Sequence, residues 1–128
     1  MAGDLTYLVW SAILTVVLML IAVGGATQQV GLPMLAGNRQ GMPEITGWAG
    51  RAARAHRNML ENLVLLAILV LVANVARRSN ASTILGAQIF FWARVACAGF
   101  YIGGIIWART AAWGVSMLGL LIILWQLL

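Results

Sequence analysis

The densest concentration of polar chemistry in the chain is residues 51–62, Arg-Ala-Ala-Arg-Ala-His-Arg-Asn-Met-Leu-Glu-Asn. On a helix of about 3.6 residues per turn, several of these side chains fall within one arc of roughly 100°. The members of that arc are Arg51, Arg54, Asn58, Glu61 and Asn62, with Arg57 at its edge. Guanidinium groups bind carboxylates through two parallel hydrogen bonds, and a glutamate accepts from an ammonium group. The spacing therefore favours a zwitterionic ligand that carries carboxylates.

A second set of candidates lies in the third apolar run, where Arg94, Cys97 and Tyr101 share one helical face at spacings i, i+3 and i+7. Because Arg94 lies inside the apolar run, it needs a partner, and Glu61 is the obvious one. We expect a buried Arg94–Glu61 pair that joins two helices; a second wall of the polar pocket is the functional alternative. Tyr101 fits ligand binding and aromatic packing equally well. Cys97 is more typical of a small core residue than of a nucleophile.

Arg109 comes just where the fourth apolar run begins. A guanidinium in a cleft at the membrane interface can stabilise a thiolate, which is the nucleophilic form of a thiol. The alternative is an arginine that contacts lipid headgroups, and the residue types by themselves favour that alternative. The sequence contains no serine–histidine–acid set, glycine-rich phosphate loop or metal motif.

The composition indicates the elements that position these residues. Of 128 residues, 62% are hydrophobic and only 9% are charged, whereas a soluble domain carries about 25% charged residues. We therefore predict one all-α integral membrane domain with four spans, at about 5–30, 46–77, 82–105 and 109–128. The net charge of +5 comes from arginines beside or within the apolar runs, so no soluble basic face exists to bind nucleic acid. The single cysteine excludes an intrachain disulfide.

Paired glycines and the arginine distribution give further expectations. Gly24 and Gly25 allow either a close helix neighbour or a local bend, and Gly99 and Gly103 allow either packing within the chain or an oligomer seam. The first and third loops, with the helix turns that flank them, carry five arginines, and the second loop carries two. The excess predicts that the first and third loops face the cytoplasm.

The sequence Arg-Ala-His-Arg-Asn-Met-Leu-Glu-Asn, from Arg54 to Asn62, resembles the second-helix signature of the MAPEG family, membrane-associated proteins in eicosanoid and glutathione metabolism. The loop Gly37-Asn38-Arg39 resembles the loop before that signature in bacterial members. Arg94, Tyr101 and Arg109 resemble positions in the third helix and the following loop of the family. The resemblance covers nearly the whole chain, in the right order and with four spans.

The resemblance implies a four-helix MAPEG-like bundle that assembles as a homotrimer, in membrane lipids, with a glutathione site between neighbouring subunits near the cytosolic end. Arg109 would correspond to the arginine that stabilises the glutathione thiolate, and the Thr110 hydroxyl would contact the sulfur. Arg94 would organise the pocket from within the bundle. The other implied glutathione-binding residues are Arg39 from the adjacent subunit, Arg51, Arg54, Arg57, Asn58, Glu61 and Tyr101. Cys97 departs from the pattern, since members often carry a histidine or tyrosine there.

The resemblance implies a membrane-bound glutathione transferase or peroxidase without a metal, in the bacterial inner membrane, with its active site toward the cytoplasm. It would attack a small apolar electrophile or reduce a lipid hydroperoxide. The rival is a non-catalytic membrane protein, a scaffold or sensor that binds an anionic lipid or metabolite. A small multidrug exporter would place an acidic residue in the middle of its first span, and residues 5–30 contain none.

Overall fold

Five helices form the computed structural model, which describes residues 2–37, 41 and 43–128. They are α1 (Gly3–Val30), α2 (Leu32–Ala36), α3 (Gly47–Val75), α4 (Ala81–Gly103) and α5 (Ile106–Leu127). All except the short α2 are long and apolar enough to cross a membrane. The predicted all-α architecture with four spans is therefore confirmed, and α2 is an unpredicted turn of helix inside the first loop.

The connection between α4 and α5 is shorter than the sequence suggests. Gly104 ends α4 in the left-handed conformation, with φ of 77°, and extended Ile105 precedes the first residue of α5. As a result α5 begins at Ile106, and Arg109 lies in its first helical turn instead of marking a loop. Its side chain is therefore attached to a rigid element that packs closely against α4.

Small residues set the closest helix contacts. A Cβ atom on Gly25 of α1 would lie 2.5 Å from the Ala49 Cβ of α3. This glycine therefore allows close approach of a neighbouring helix, which is one of the two alternatives that the sequence left open. Gly86 and Gly119 perform the same role between α4 and α5, because a Cβ on either would lie within 2.6 Å of the other's carbonyl oxygen. By contrast, Gly99 and Gly103 face open space among the described residues, so they do not pack within the chain.

The end of the bundle that holds both chain termini is organised by Asp4, whose side chain is completely buried. Its carboxylate accepts hydrogen bonds from the Asn74 amide at 3.2 Å, the Ser79 hydroxyl at 2.7 Å and the Thr83 hydroxyl at 2.9 Å. The carboxylate also lies in the first turn of α1, where the helix dipole stabilises negative charge. Asn80 is the N-cap of α4 and forms a capping box with Thr83.

Candidate functional site

Two adjoining clefts at the opposite end of the bundle collect most of the predicted site residues. One cleft has an empty volume of about 450 Å³ and lies between α3, α4 and α5; it is lined by Asn58, Cys97, Tyr101, Arg109, Thr110 and Trp113. The other, of about 440 Å³, is lined by Arg54, Arg57, Asn58, Glu61 and Tyr101. Because Asn58 and Tyr101 line both, the clefts form one continuous polar surface, which we call the arginine cleft.

Arg94 does not pair with Glu61, so the prediction of a buried ion pair between them is wrong. Arg94 is only 2% exposed, and its Nη2 atom donates to the side-chain oxygen of Asn58. Asn58 precedes Glu61 by three residues on α3 and is the side chain that faces α4, whereas Glu61 is exposed at the mouth of the cleft. The Nε and Nη1 atoms of Arg94 are buried and have no hydrogen-bond partner among the described residues. Arg94 therefore lies behind the cleft wall with unused donors.

Arg51 lines neither cleft, although the helical arc places it beside Arg54. Its Nε atom donates to the carbonyl oxygen of Ile102 at 2.8 Å, and its side chain lies against Gly104. This bond satisfies a carbonyl in the last turn of α4, where helix carbonyls lack an intrahelical partner. Arg51 thus connects the start of α3 to the end of α4 and contributes its charge from behind the site.

Arg109 and Tyr101 are held against each other in the arginine cleft. The guanidinium carbon of Arg109 lies 4.5 Å from the centroid of the Tyr101 ring, a cation–π contact that fixes the side chain while leaving its edge available to a ligand. The Cys97 thiol donates to the Arg109 carbonyl oxygen at 3.8 Å. The Thr110 hydroxyl donates to the Ile106 carbonyl at 3.1 Å, so donation to a sulfur would require this hydroxyl to rotate.

A residue that the sequence analysis missed joins the start of α3 to the end of α1. The Gln29 side chain donates to the Thr46 carbonyl oxygen at 2.7 Å and accepts from the Thr46 backbone N–H at 2.9 Å. Thr46 is the N-cap residue of α3 and makes no capping bond with its own side chain. Gln29 therefore fixes the position from which the arginine-bearing turns of α3 begin. A polar side chain at the end of an apolar run was the available signal.

The charge of the site is strongly positive. Five arginines lie in or directly behind the cleft (Arg51, Arg54, Arg57, Arg94 and Arg109), against one carboxylate, that of Glu61. None of the five lies within 4.0 Å of a carboxylate oxygen in the described part of the chain. Arg39, the remaining predicted site residue, lies outside the described residues. Within residues 2–37, 41 and 43–128, no three His, Cys, Asp or Glu side chains are arranged to hold a metal ion.

An apolar groove begins one helical turn beyond the arginine cleft, between α3 and α5. Its empty volume is about 700 Å³, and it is lined by Leu65, Ile68, Leu69, Met117, Leu120, Leu121 and Leu124. Leu65 follows Glu61 by four residues on α3, and Met117 follows Trp113 by four residues on α5. The polar and apolar surfaces thus follow each other along the same pair of helices.

Comparison with known proteins gives one match. Residues 5–128, nearly the whole chain, match the model of the MAPEG family. No curated protein and no solved structure matches the chain significantly.

Proposed function

The chain belongs to the MAPEG family, and from this premise we propose that it is a membrane-bound glutathione transferase. It activates glutathione as the thiolate for attack on apolar electrophiles, with reduction of lipid hydroperoxides as a related activity of the same thiolate. The observation that carries the proposal is the arginine cleft, which is lined by Arg54, Arg57 and Arg109 and backed by two further arginines, none of the five with a carboxylate partner among the described residues. Unpaired cations at such density fit a ligand that brings its own anionic groups.

Glutathione has two carboxylates, one ammonium group and one thiol, and the cleft offers a complement to each. Arg54 and Arg57 are exposed at its rim and supply bidentate donors for the carboxylates. Glu61 supplies an acceptor for the ammonium group. Asn58 uses its oxygen for Arg94, which leaves its amide N–H groups for the peptide carbonyls of the ligand.

Arg109 is the residue that we assign to thiolate stabilisation. It lines the inner part of the cleft and is held on the Tyr101 ring, so its charge is fixed before the ligand arrives. Preorganised charge beside a reacting atom stabilises the anion without a reorganisation cost. Thr110 adjoins it and adds a donor only when its hydroxyl leaves the Ile106 carbonyl.

The apolar groove between α3 and α5 is the route that we propose for the second substrate. Its lining is almost entirely aliphatic, and it adjoins the cleft along both helices. An apolar electrophile or the acyl chain of a hydroperoxide dissolves in such a surface, which raises its effective concentration beside the thiolate.

The proposal includes a homotrimer in the bacterial inner membrane with the cleft toward the cytoplasm. The exposed Gly99 and Gly103 of α4 present backbone without side chains, a surface suited to close approach of a second copy. The arginines at the cleft end outnumber Arg77 and Arg78 at the other end, which favours a cytoplasmic cleft. A neighbouring subunit would then bring its Arg39 to the site.

A thermal-shift experiment tests the binding step. Glutathione is expected to raise the melting temperature of the detergent-solubilised protein, and Arg54→Ala is expected to abolish the increase. Arg78→Ala is the matched control, because Arg78 lies at the other end of the bundle and donates to the Leu127 carbonyl. The rise should persist in that variant.

The same experiment separates the proposal from the rival function. Arg54 and Arg57 are exposed, and such residues at a membrane surface also bind lipid phosphates. If vesicle lipids with anionic headgroups raise the melting temperature while glutathione does not, the protein is a lipid-binding scaffold or sensor and the transferase proposal fails.

A further inference from the structure

Trp113 is the largest side chain in the inner part of the arginine cleft. It lines the space of about 450 Å³ that also contains Arg109 and Thr110, and 43% of the residue is exposed. Its neighbours Ala112 and Ser116 on α5 are buried, so this part of α5 is packed against the bundle with Trp113 at the edge of the packed face. The indole is therefore accessible to a ligand that occupies the cleft.

The position of Trp113 along α5 lies between the cation and the apolar groove. Arg109, Trp113 and Met117 follow one another at intervals of four residues, so they share one face of the helix with about 6 Å between successive levels. Arg109 lines the cleft, and Met117 lines the beginning of the groove. On α3 the same change occurs from Glu61 to Leu65. A substrate that reaches Arg109 from the groove therefore passes the indole.

The indole of Trp113 is also the unoccupied aromatic surface of the cleft. The other ring in the cleft, that of Tyr101, has the guanidinium carbon of Arg109 at 4.5 Å from its centroid, so the cation covers one of its faces. Within the described part of the chain Trp113 makes no ring contact, and its indole N–H makes no hydrogen bond. Its one hydrogen bond involves the backbone, where its carbonyl oxygen accepts from the Ser116 hydroxyl at 2.6 Å.

We propose that Trp113 determines the class of the second substrate, which is a planar, electron-poor aromatic electrophile. The inference rests on the proposed function, because it names the substrate class of the same site. An aromatic ring carries a negative face and a positive edge, and rings pair in offset-stacked or edge-to-face arrangements. A ring that has lost electron density to nitro groups is a good partner for the electron-rich face of an indole.

The stacked ring would lie one helical turn from the Arg109 guanidinium, where we place the thiolate. The sulfur then forms a bond to the ring carbon that carries a chlorine, the C–Cl bond breaks, and chloride leaves with the bonding electron pair. The thiol proton has already passed to solvent. A linear alkenal or an acyl hydroperoxide has no aromatic ring, so it gains only apolar contact from Trp113, and leucine supplies apolar contact as well.

The kinetic experiment compares two electrophiles in variants of the full-length, detergent-solubilised protein. Trp113→Leu should lower kcat/KM for a chlorinated nitrobenzene about 2- to 12-fold, the range that one aromatic pair contributes beyond burial. The same variant should leave kcat/KM for a linear alkenal nearly unchanged. Trp113→Phe keeps an aromatic face, so its rate with the nitrobenzene should lie closer to that of the wild type. Trp107→Leu is the matched control, because Trp107 is on the same helix, is 84% exposed and lines neither cleft.

A binding experiment without glutathione tests the site separately from the reaction. The probe is a dinitrobenzene without a leaving group, which quenches the fluorescence of an indole that it contacts. We expect a saturable component of quenching in the wild type and in Trp107→Leu. That component should be absent in Trp113→Leu and present in Trp113→Phe only if another tryptophan contacts the probe. The melting temperature of each variant shows that it is folded.

The outcomes separate the inference from the proposed function. An unchanged rate with the nitrobenzene in Trp113→Leu overturns the inference. An equal loss with the alkenal also overturns it, because a general structural role would then explain the effect, and Trp113→Phe decides the matter if the leucine variant does not fold. Conjugation that does not depend on Trp113 keeps the transferase proposal alone. Saturable quenching that depends on Trp113, in a protein that conjugates nothing, supports the aromatic site and removes the transferase proposal.

Discussion

Replacement of Arg109 by alanine should separate the chemical step from glutathione binding. The Arg109 guanidinium lies in the inner part of the arginine cleft, on the face of Tyr101, while Arg54, Arg57 and Glu61 lie at the rim. Removal of Arg109 therefore leaves the groups that hold the carboxylates and the ammonium group in place. It removes the cation that favours the thiolate over the thiol.

The size of the effect follows from the interaction that is lost. A hydrogen bond to a charged group contributes about 1.5–3 kcal/mol, and about 1.4 kcal/mol corresponds to a tenfold change in rate. We expect kcat for conjugation of a chlorinated nitrobenzene at neutral pH to fall about 10- to 150-fold in Arg109→Ala. The loss should shrink as the pH rises, because hydroxide then ionises the bound thiol without help from the guanidinium.

The assay is a pH profile of kcat, together with the glutathione-dependent rise in melting temperature for the same preparations. Arg109→Lys is the matched control; it keeps the positive charge but loses the planar face that lies on Tyr101, so its rate should be intermediate. An unchanged kcat in Arg109→Ala would refute the assignment. So would a loss of activity that is equal at every pH, because that result indicates a role in positioning instead of ionisation.

Three further predictions concern the fold and the positioning of the site. Asp4→Ala should lower the stability of the solubilised protein by about 3 kcal/mol, because the Asn74, Ser79 and Thr83 donors lose their buried acceptor; an unchanged melting temperature would contradict this. Gly86→Ala should lower the free energy of unfolding by about 1–3 kcal/mol, because its Cβ would lie 2.6 Å from the Gly119 carbonyl oxygen. The control is Gly24→Ala, which should not lower the melting temperature because a Cβ there would meet no atom within 4 Å. Gln29→Ala should weaken glutathione binding severalfold without removing it, because the start of α3 loses both hydrogen bonds to Gln29. Gln29→Glu keeps an acceptor for the Thr46 N–H and should have a smaller effect when glutathione is titrated into each variant.

The helices and much of the site composition follow from local patterns in the sequence. Long apolar runs predict the four spans, because backbone polar groups in lipid must bond within a helix. The spacing of Arg54, Asn58 and Glu61 predicts a shared polar face, and these three residues do line one cleft. Such patterns depend only on the periodicity of a single helix, so they can be recognised in the sequence.

The errors arose where two helices must be placed relative to each other. The residues that share one face of a helix do not reveal how that helix is rotated relative to the helix beside it. The spacing on α3 therefore could not show that Asn58, and not Glu61, contacts Arg94 of α4. A local pattern also does not show the bond from Arg51 to the Ile102 carbonyl, because that bond depends on where α4 ends. The Asp4 network joins α1 with the α3–α4 connection and the helix ends on either side of it, and no local pattern brings those segments together.

The ultraviolet absorbance of the thiolate, recorded as glutathione binds the solubilised protein at neutral pH, tests the proposed chemistry most directly. Free glutathione is mostly protonated at that pH, since an ordinary cysteine thiol has a pKa of about 8.5. We predict that a thiolate band appears on binding to the wild type and is absent with Arg109→Ala, although that variant still binds the peptide. Glutathione that binds the wild type with its thiol protonated, or a band that persists without Arg109, would contradict the mechanism.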